Sequence, residues 1–207
     1  KGFGDLLRIG YQNRPLLFDL NIQLPELLYD RVVEVSERLD AEGEIIKSLD
    51  ENEVRTALKK AKIDGINSVA IAFMHSYINP NHENIIAEIA HEEKFDQISV
   101  SHKVSPLIKL IGRGDTTVVD AYLSPILRRY VNQVSEELEK NKSTKLMFMQ
   151  SNGGLTDANL FQGKDALLSG PAGGVVSMVQ TGKQAGYNKL IGFDMGGTST
   201  DVCHFAG

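Results

Sequence analysis

The run Leu190-Ile-Gly-Phe-Asp194-Met-Gly196-Gly197-Thr198-Ser199-Thr200-Asp201 constrains this chain more than any other stretch. A hydrophobic strand feeds straight into an acid, two glycines, three hydroxyls and a second acid. Glycines let the backbone fold tightly, so several N–H groups can aim at one anion. Thr198, Ser199 and Thr200 add hydroxyl donors. An acid beside bound phosphate repels it unless a cation lies between them, so Asp194 and Asp201 suit Mg²⁺, held directly or through its waters. The run is not a Walker A loop, since GxxxxGK[ST] and its lysine are missing. The plain alternative is a β-hairpin turned by Gly-Gly.

Repeated strand–helix alternation places this loop in an α/β fold with a mixed or mostly parallel sheet. Val32–Val35 has strand composition, with Pro15 and Pro25 punctuating the region before it and Gly43 a turn after it. Asp50 is placed to cap a helix and Glu53 to close a capping box, with Val54, Leu58 and Ala61 at helical spacing. Gly65 ends that helix. Ser68–Phe73 is apolar almost throughout, as in a strand with both faces covered. Asn79-Pro80 opens a second helix carrying Ile85, Ile86 and Ile89, and Ile98–Val100 is a short strand. Residues 115–140 form the longest helical candidate; Pro125 either starts a new helix or kinks it, and Glu139 and Lys140 end it in solvent. Lys145–Met149 reads as a strand entering the polar loop Gln150–Gly154. Ser169–Gly174 reads as a glycine-rich turn, with a helix from Gly173 to Ala185 stopped by Gly186. A soft boundary near 102–112 divides the chain into an α/β subdomain, 1–102, and a segment, 103–207, leading into the loop.

The 207 residues carry a formal charge of −5, which offers no basic footprint for nucleic acid or an anionic membrane. One cysteine, Cys203, excludes an internal disulfide and a cysteine-built metal cluster, and suits a reducing, cytoplasmic compartment. No apolar run reaches membrane-spanning length. A start at Lys1 and an end at Gly207, inside a strand-like run, are expected of a piece of a longer protein.

Other candidates are less specific. Ser151 and Asn152 put donors and acceptors at a strand end, where open α/β sheets bind ligands, but Asn-Gly is also an ordinary turn. Ser169, Gly170, Gly173 and Gly174 open a helix whose free N–H groups suit an anion or close approach of a nucleotide. Arg113 could meet a carboxylate or phosphate, and Asp115 suits an N-cap. His102 follows a strand end and is a candidate to line a site; His82 and Glu83 read as surface residues at a helix start. No histidine forms an HExxH pattern.

Taken together, these motifs resemble the ATP-dependent hydantoinase/5-oxoprolinase family, A-type subunit. The resemblance rests on Gly2-Phe3, Asp5, Leu7, Ile9-Gly10, Gln12 and Arg14-Pro15; on the segment Tyr29–Arg38; and on His75-Ser-Tyr77 and Asn79-Pro80-Asn-His82-Glu83. It continues through Ser101-His102-Lys-Val-Ser105-Pro106, Thr116–Pro125, Met149–Gly154, Ser169–Ala172 and Asp194–Asp201. It departs at Gly112-Arg113, where the family has Glu-Arg, and at Asp120, where Asn is frequent. It implies the actin-like ATPase fold of the sugar kinase/heat-shock 70 type. It also implies an enzyme that cleaves ATP, with Mg²⁺, to open a cyclic amide such as a hydantoin or 5-oxoproline, in concert with a B-type subunit or domain. Asp194, Asp201 and Arg113 would then be catalytic, and Asp194 and Asp201 would hold the metal. Gly196, Gly197, Thr198, Ser199, Thr200, Ser169, Gly170, Gly173 and Gly174 would bind nucleotide, and Ser151, Asn152 and His102 the substrate. The family's early glycine-rich phosphate loop is not among these residues, so the isolated chain is expected to be inactive. A subunit of a related ATP-dependent carboxylase and an actin-like regulatory module stay open, as does homo-oligomerisation.

Overall fold

The computed structural model describes all residues except 13, 15, 17 and 139–144. Pro15, Glu139 and Lys140, which figured in the sequence reading, lie outside the described residues. In chain order the elements are α1 (Leu6–Ile9), β1 (Arg38–Leu39), β2 (Ile45–Lys47), α2 (Glu51–Ile63), β3 (Ser68–Ile71), α3 (Asn81–Glu92), β4 (Gln97–Val100), α4 (Ser101–Val104) and α5 (Leu110–Leu138). There follow β5 (Met147–Met149), β6 (Leu155–Asp157), a 3₁₀ turn (Ala158–Leu160), α6 (Gly163–Ala166), α7 (Ser169–Gln184), β7 (Leu190–Met195) and β8 (Thr200–Phe205). The chain divides into two compact units, Lys1–Ile126 and Leu127–Gly207. No helix among the described residues is long and apolar enough to cross a membrane.

The first unit is built on a β–α–β crossover. β3 and β4 pair in parallel, Ser68 opposite Gln97 through Ile71 opposite Val100, with α3 between them in sequence. A parallel pair needs such a crossover. α2 begins as its sequence dictates, because the Asp50 carboxylate accepts the Glu53 N–H at 3.0 Å. The other half of the expected capping box does not form: Glu53 accepts instead from the Ser36 N–H at 2.9 Å and from the Lys1 ammonium. Val54, Leu58 and Ala61 of α2 bury against Ile71, Val100 and the α3 residues Ile86, Ile89 and Ala90. Those residues recur every three or four positions, which gives each helix one apolar stripe.

Several local expectations are corrected. Val32–Val35 forms no strand; the short hairpin lies further on, with Leu39 opposite Ile45. Gly43 makes its turn at φ +87°, a conformation that favours glycine. His82 and Glu83 are buried, not on the surface, because each has a partner inside the fold. α5 starts at Leu110 and runs unbroken through Pro125, so Asp115 is an internal helix residue and caps nothing.

In the second unit, the antiparallel pairs β5–β6 and β7–β8 both pack on α7. α7 begins at Ser169, four residues before the expected Gly173. Pro171 is tolerated because a first-turn residue needs no intrahelical N–H bond. Gly186 closes the helix at φ +86°, and the Tyr187 N–H reaches back to the Gly182 carbonyl at 3.0 Å. Val131 of α5 forms a small core with Phe148, Ala158 and Phe161, with Phe148 and Phe161 stacked at 4.9 Å.

Candidate phosphate-binding hairpin

β7 and β8 pair in register from Leu190 opposite Phe205 to Met195 opposite Thr200. The connecting loop is Gly196–Ser199, closed by the Gly196 N–H donating to the Ser199 carbonyl at 3.0 Å. The run is therefore a hairpin, and the hairpin form is what aligns its acids. Asp194 lies directly opposite Asp201, so both side chains leave the same face of the ribbon. Like charges directly opposite destabilise a strand pair, and neither acid takes part in an ion pair given among the described residues. Two convergent carboxylates without a cationic side chain are a donor set suited to Mg²⁺. That ion is typically held by one or two carboxylates, with water and phosphate oxygens filling the rest. No cluster of three or more metal-binding side chains occurs among the described residues. Neither Gly196 nor Gly197 has a positive φ. Nothing approaches the space a Gly197 side chain would fill, leaving that backbone open to a ligand.

α7 draws the three glycine motifs of this unit together. A Cβ on Gly174 would stand 3.6 Å from the Asp194 carboxylate, one on Gly173 would stand 3.8 Å from Met149, and one on Gly153 would press on Val176 at 3.3 Å. Gly153 itself turns at φ +82°. The turn after β5 is tied to the helix start by Ser151. Its N–H and hydroxyl both donate to the Asp165 carbonyl, at 2.8 and 2.7 Å, and its oxygen accepts the Leu168 N–H at 3.1 Å. Leu168 immediately precedes α7. Asn152 accepts the Gly154 N–H at 2.8 Å, a self-contained turn. Ser151 and Asn152 thus lie in the neighbourhood expected of them, with their oxygens engaged in holding it.

Two glycines that sequence reasoning passed over seat the helix on the hairpin. A Cβ on Gly182 would fall 2.4 Å from a Leu190 methyl, and one on Gly192 2.5 Å from both Cys203 Sγ and Met178 Sδ. Their spacing from the loop carries no sequence signal; only the packing reveals them.

His102 and Arg113 belong to the first unit, in a buried network beyond the carboxyl ends of β3 and β4. Glu83, with no exposed surface, is its centre. One carboxylate oxygen accepts from the Phe73 N–H at 2.9 Å and the Ser101 hydroxyl at 2.6 Å. The other faces the His102 N–H at 3.1 Å and His102 Nδ1 at 2.7 Å. Arg113 is also fully buried. Its Nε donates to Ser101 Oγ at 3.0 Å, and its terminal nitrogens to the carbonyls of Leu107, Ile108, Phe73 and Met74. Burial pushes its guanidinium below its ordinary value, opposed by the charge of Glu83 and by Tyr77. With every nitrogen engaged by protein, Arg113 is an anchor for the loops after β3 and before α5, and its placement gives no support to a catalytic part. Asp115 is pushed up by burial.

The chain matches the hydantoinase/oxoprolinase N-terminal region over residues 1–94 and the hydantoinase/oxoprolinase family over residues 113–207. It is 44% identical to a 5-oxoprolinase of Saccharomyces cerevisiae over 99% of the chain and 18% of that protein. It is 29% identical to the acetophenone carboxylase gamma subunit of Aromatoleum aromaticum, over 94% of the chain and 26% of that subunit. An ATP-dependent caprolactamase from Pseudomonas jessenii superimposes with a TM-score of 0.84 at 28% identity, covering 99% of the chain and 31% of that structure. A nucleotide-free acetone carboxylase superimposes at 0.86 and 25% identity, with the same coverage. The chain thus spans less than a fifth of the 5-oxoprolinase's length. The fold is that of the actin-like ATPase superfamily, with both parallel and antiparallel strand pairs. The acid-flanked hairpin, the helix that gathers three glycine motifs against it and these matches together assign the chain to the A-type, ATPase part of the hydantoinase/oxoprolinase family.

Proposed function

We propose that the intact protein couples ATP cleavage to hydrolytic opening of a cyclic amide, a hydantoin or 5-oxoproline, releasing ADP and phosphate. The observation that carries this reading is the cross-strand pair Asp194–Asp201 at the mouth of the hairpin, beside α7. Mg²⁺ bound there would neutralise charge on the ATP phosphates. The loop backbone from Gly196 to Ser199, with the hydroxyls of Thr198, Ser199 and Thr200, would hold and orient the phosphates. The γ-phosphoryl group would pass to the ring amide oxygen, water would add at the same carbon, the C–N bond would break to leave an acyl phosphate, and a second water would release the carboxylate and phosphate. The role of Ser151 is to fix the turn against α7; that of Gly174 is to let the helix come close to Asp194. A B-type subunit or domain would complete the site, and the cytoplasm is the compartment that suits its ATP supply.

A second reading, the nucleotide-binding subunit of an ATP-dependent carboxylase, is favoured by the superposition on acetone carboxylase and the similarity to the acetophenone carboxylase subunit. The test is a substrate panel on the intact protein with its B-type partner. Phosphate release stimulated by 5-oxoproline or a hydantoin, with matching appearance of the ring-opened acid, supports the hydrolase. Release that requires bicarbonate and a ketone, with no response to cyclic amides, selects the carboxylase.

A further inference from the structure

The network around Glu83 leaves two histidine nitrogens without a protein partner. The first is on His102. Glu83 accepts the His102 N–H and, with the same oxygen, faces His102 Nδ1 at 2.7 Å. A carboxylate only accepts, so Nδ1 carries the ring hydrogen and Nε2 keeps a lone pair. Nε2 enters no hydrogen bond among the described residues, and the side chain is 13% exposed, so a small molecule can reach that lone pair. The second is His75 Nδ1, which is buried and unpartnered among the described residues. Such an atom marks a place where water or a ligand completes the hydrogen bonding. The two histidines stand on loops that are tied together. The Ser76 and Ser101 hydroxyl oxygens lie 3.2 Å apart; His75 precedes one serine and His102 follows the other.

Both loops leave the carboxyl ends of the parallel strands β3 and β4. Open α/β sheets bind their ligands outside that end of the strands. The loops are fastened by Glu83 and Arg113, each with no exposed surface. Apolar side chains of similar volume often hold a fold as stably as buried charges do. An apolar core, however, cannot fix the tautomer and the aim of an imidazole. A carboxylate on Nδ1 does both, and it is the arrangement that makes the far nitrogen of a histidine a base.

We propose that His102 Nε2 is the base that activates the water for opening of the cyclic amide; this rests on the hydrolase reading above. Nε2 takes one proton from the water as the water oxygen bonds to the phosphorylated amide carbon. That proton passes to the ring nitrogen as the C–N bond breaks. The second water proton leaves to solvent as the new acyl C=O forms, and Nε2 regains its lone pair.

The test uses the intact protein with its B-type partner. His102→Asn keeps a side-chain N–H for Glu83 but lacks Nε2. Its kcat for ring opening should fall at least ~100-fold, the lower end of what a general base contributes, with KM and thermal unfolding near those of the wild type. His102→Ala should lose as much and recover turnover as free imidazole is added. A His102→Asn kcat close to the wild type's would overturn the proposal while leaving the hydrolase reading in place. A wild type that opens no cyclic amide would end that reading and the proposal with it. Diethylpyrocarbonate gives a measurement on the wild type, free of any folding defect. It should acylate His102 in step with loss of turnover, and saturating cyclic amide should slow both. Full turnover with His102 acylated, or acylation that the amide does not slow, would also overturn the proposal.

Discussion

The two acids of the hairpin and the buried arginine behave oppositely on substitution. Asp194→Asn keeps the size of the side chain and removes the charge that attracts Mg²⁺. In the intact protein with its partner, the Mg²⁺ concentration for half-maximal ATP hydrolysis should rise by at least ~10-fold, the loss of one charged ligand interaction, while thermal unfolding stays near that of the wild type. An unchanged Mg²⁺ dependence with a lowered melting temperature would make Asp194 a turn residue only. Arg113→Met should do the reverse. It removes the positive charge near Glu83 and leaves the Ser101 oxygen and four carbonyls without that donor, and losing one member of a buried charged network costs about 3–5 kcal/mol. Chemical denaturation reads this loss; normal stability with abolished turnover would restore Arg113 to the chemistry.

Acid should loosen the chain's start before its core. The ammonium of Lys1, then the Ser36 N–H, hold the Glu53 carboxyl down from the ordinary 4.5 to about 2. Glu34 is also lowered, by the N–H groups of Phe3 and Gly2 first; one of its oxygens accepts from Gly2, Phe3 and Gly4 at 2.6, 2.7 and 2.9 Å. A carboxyl with a lowered folded pKa stabilises the fold above its unfolded value and loses that contribution as pH falls through the folded one. The contacts of Lys1–Gly4 with Glu34 and Glu53 should therefore persist at neutral pH and weaken as pH drops from 4.5 towards 2. Amide exchange of Gly2–Gly4 across that range should accelerate beyond its intrinsic pH dependence; no such excess would show the contacts to be idle.

Among the elements, α7 and its hairpin are held by absent side chains. Gly192→Ala places a methyl against Cys203 and Met178 and should cost about 1–3 kcal/mol by overpacking. Gly197→Ala meets nothing within 4 Å and should leave stability near wild type. Equal melting temperatures for the two variants would remove the packing role given to Gly192. These glycines also mark where the sequence was legible. The stripe Val54, Leu58, Ala61 announced α2 because helical spacing and burial express the same periodicity, and the apolar runs announced β3, β5 and β7 for a similar reason. The start of α7 was misplaced because Ser-Gly-Pro-Ala-Gly-Gly contains turn residues throughout. Only packing against β5 and β7 makes that stretch helical. Val32–Val35 has strand composition but no strand, since a strand exists only where a neighbour pairs with it. In the hairpin, the identity of the acids was readable and their direct opposition was not, because register depends on the length of the turn. Glu83 looked like a surface residue because nothing local reveals that Ser101 and His102, eighteen and nineteen positions later, will fold over it.

Seen as one chain, the candidate site stands on a fraction of its relatives' length. The acid-flanked hairpin, its helix and the turn after β5 are present, but a 5-oxoprolinase that matches extends over more than five times this length. Phosphoryl transfer depends on enclosing and positioning the phosphates, which one hairpin face does not achieve. The 207-residue chain alone should therefore show no Mg²⁺-dependent phosphate release above background. Turnover that copurifies with it and disappears on Gly197→Val would contradict this.

The ribbon of β7 and β8 has a further consequence for handling that chain. One of its faces meets α7, while Ile191, Phe193, Met195 and Val202 remain 64–77% exposed on the strands. β7 and β8 each pair only with the other among the described residues, so each also keeps an open edge. Greasy side chains next to unpaired edges are the ingredients of sticky, colloidally unstable material. Light scattering of the isolated chain should rise with concentration. Phe193→Lys together with Val202→Glu, two exposed residues directly opposite each other in the register, should suppress that rise. The same ribbon that carries the paired acids would then set the shelf life of the preparation.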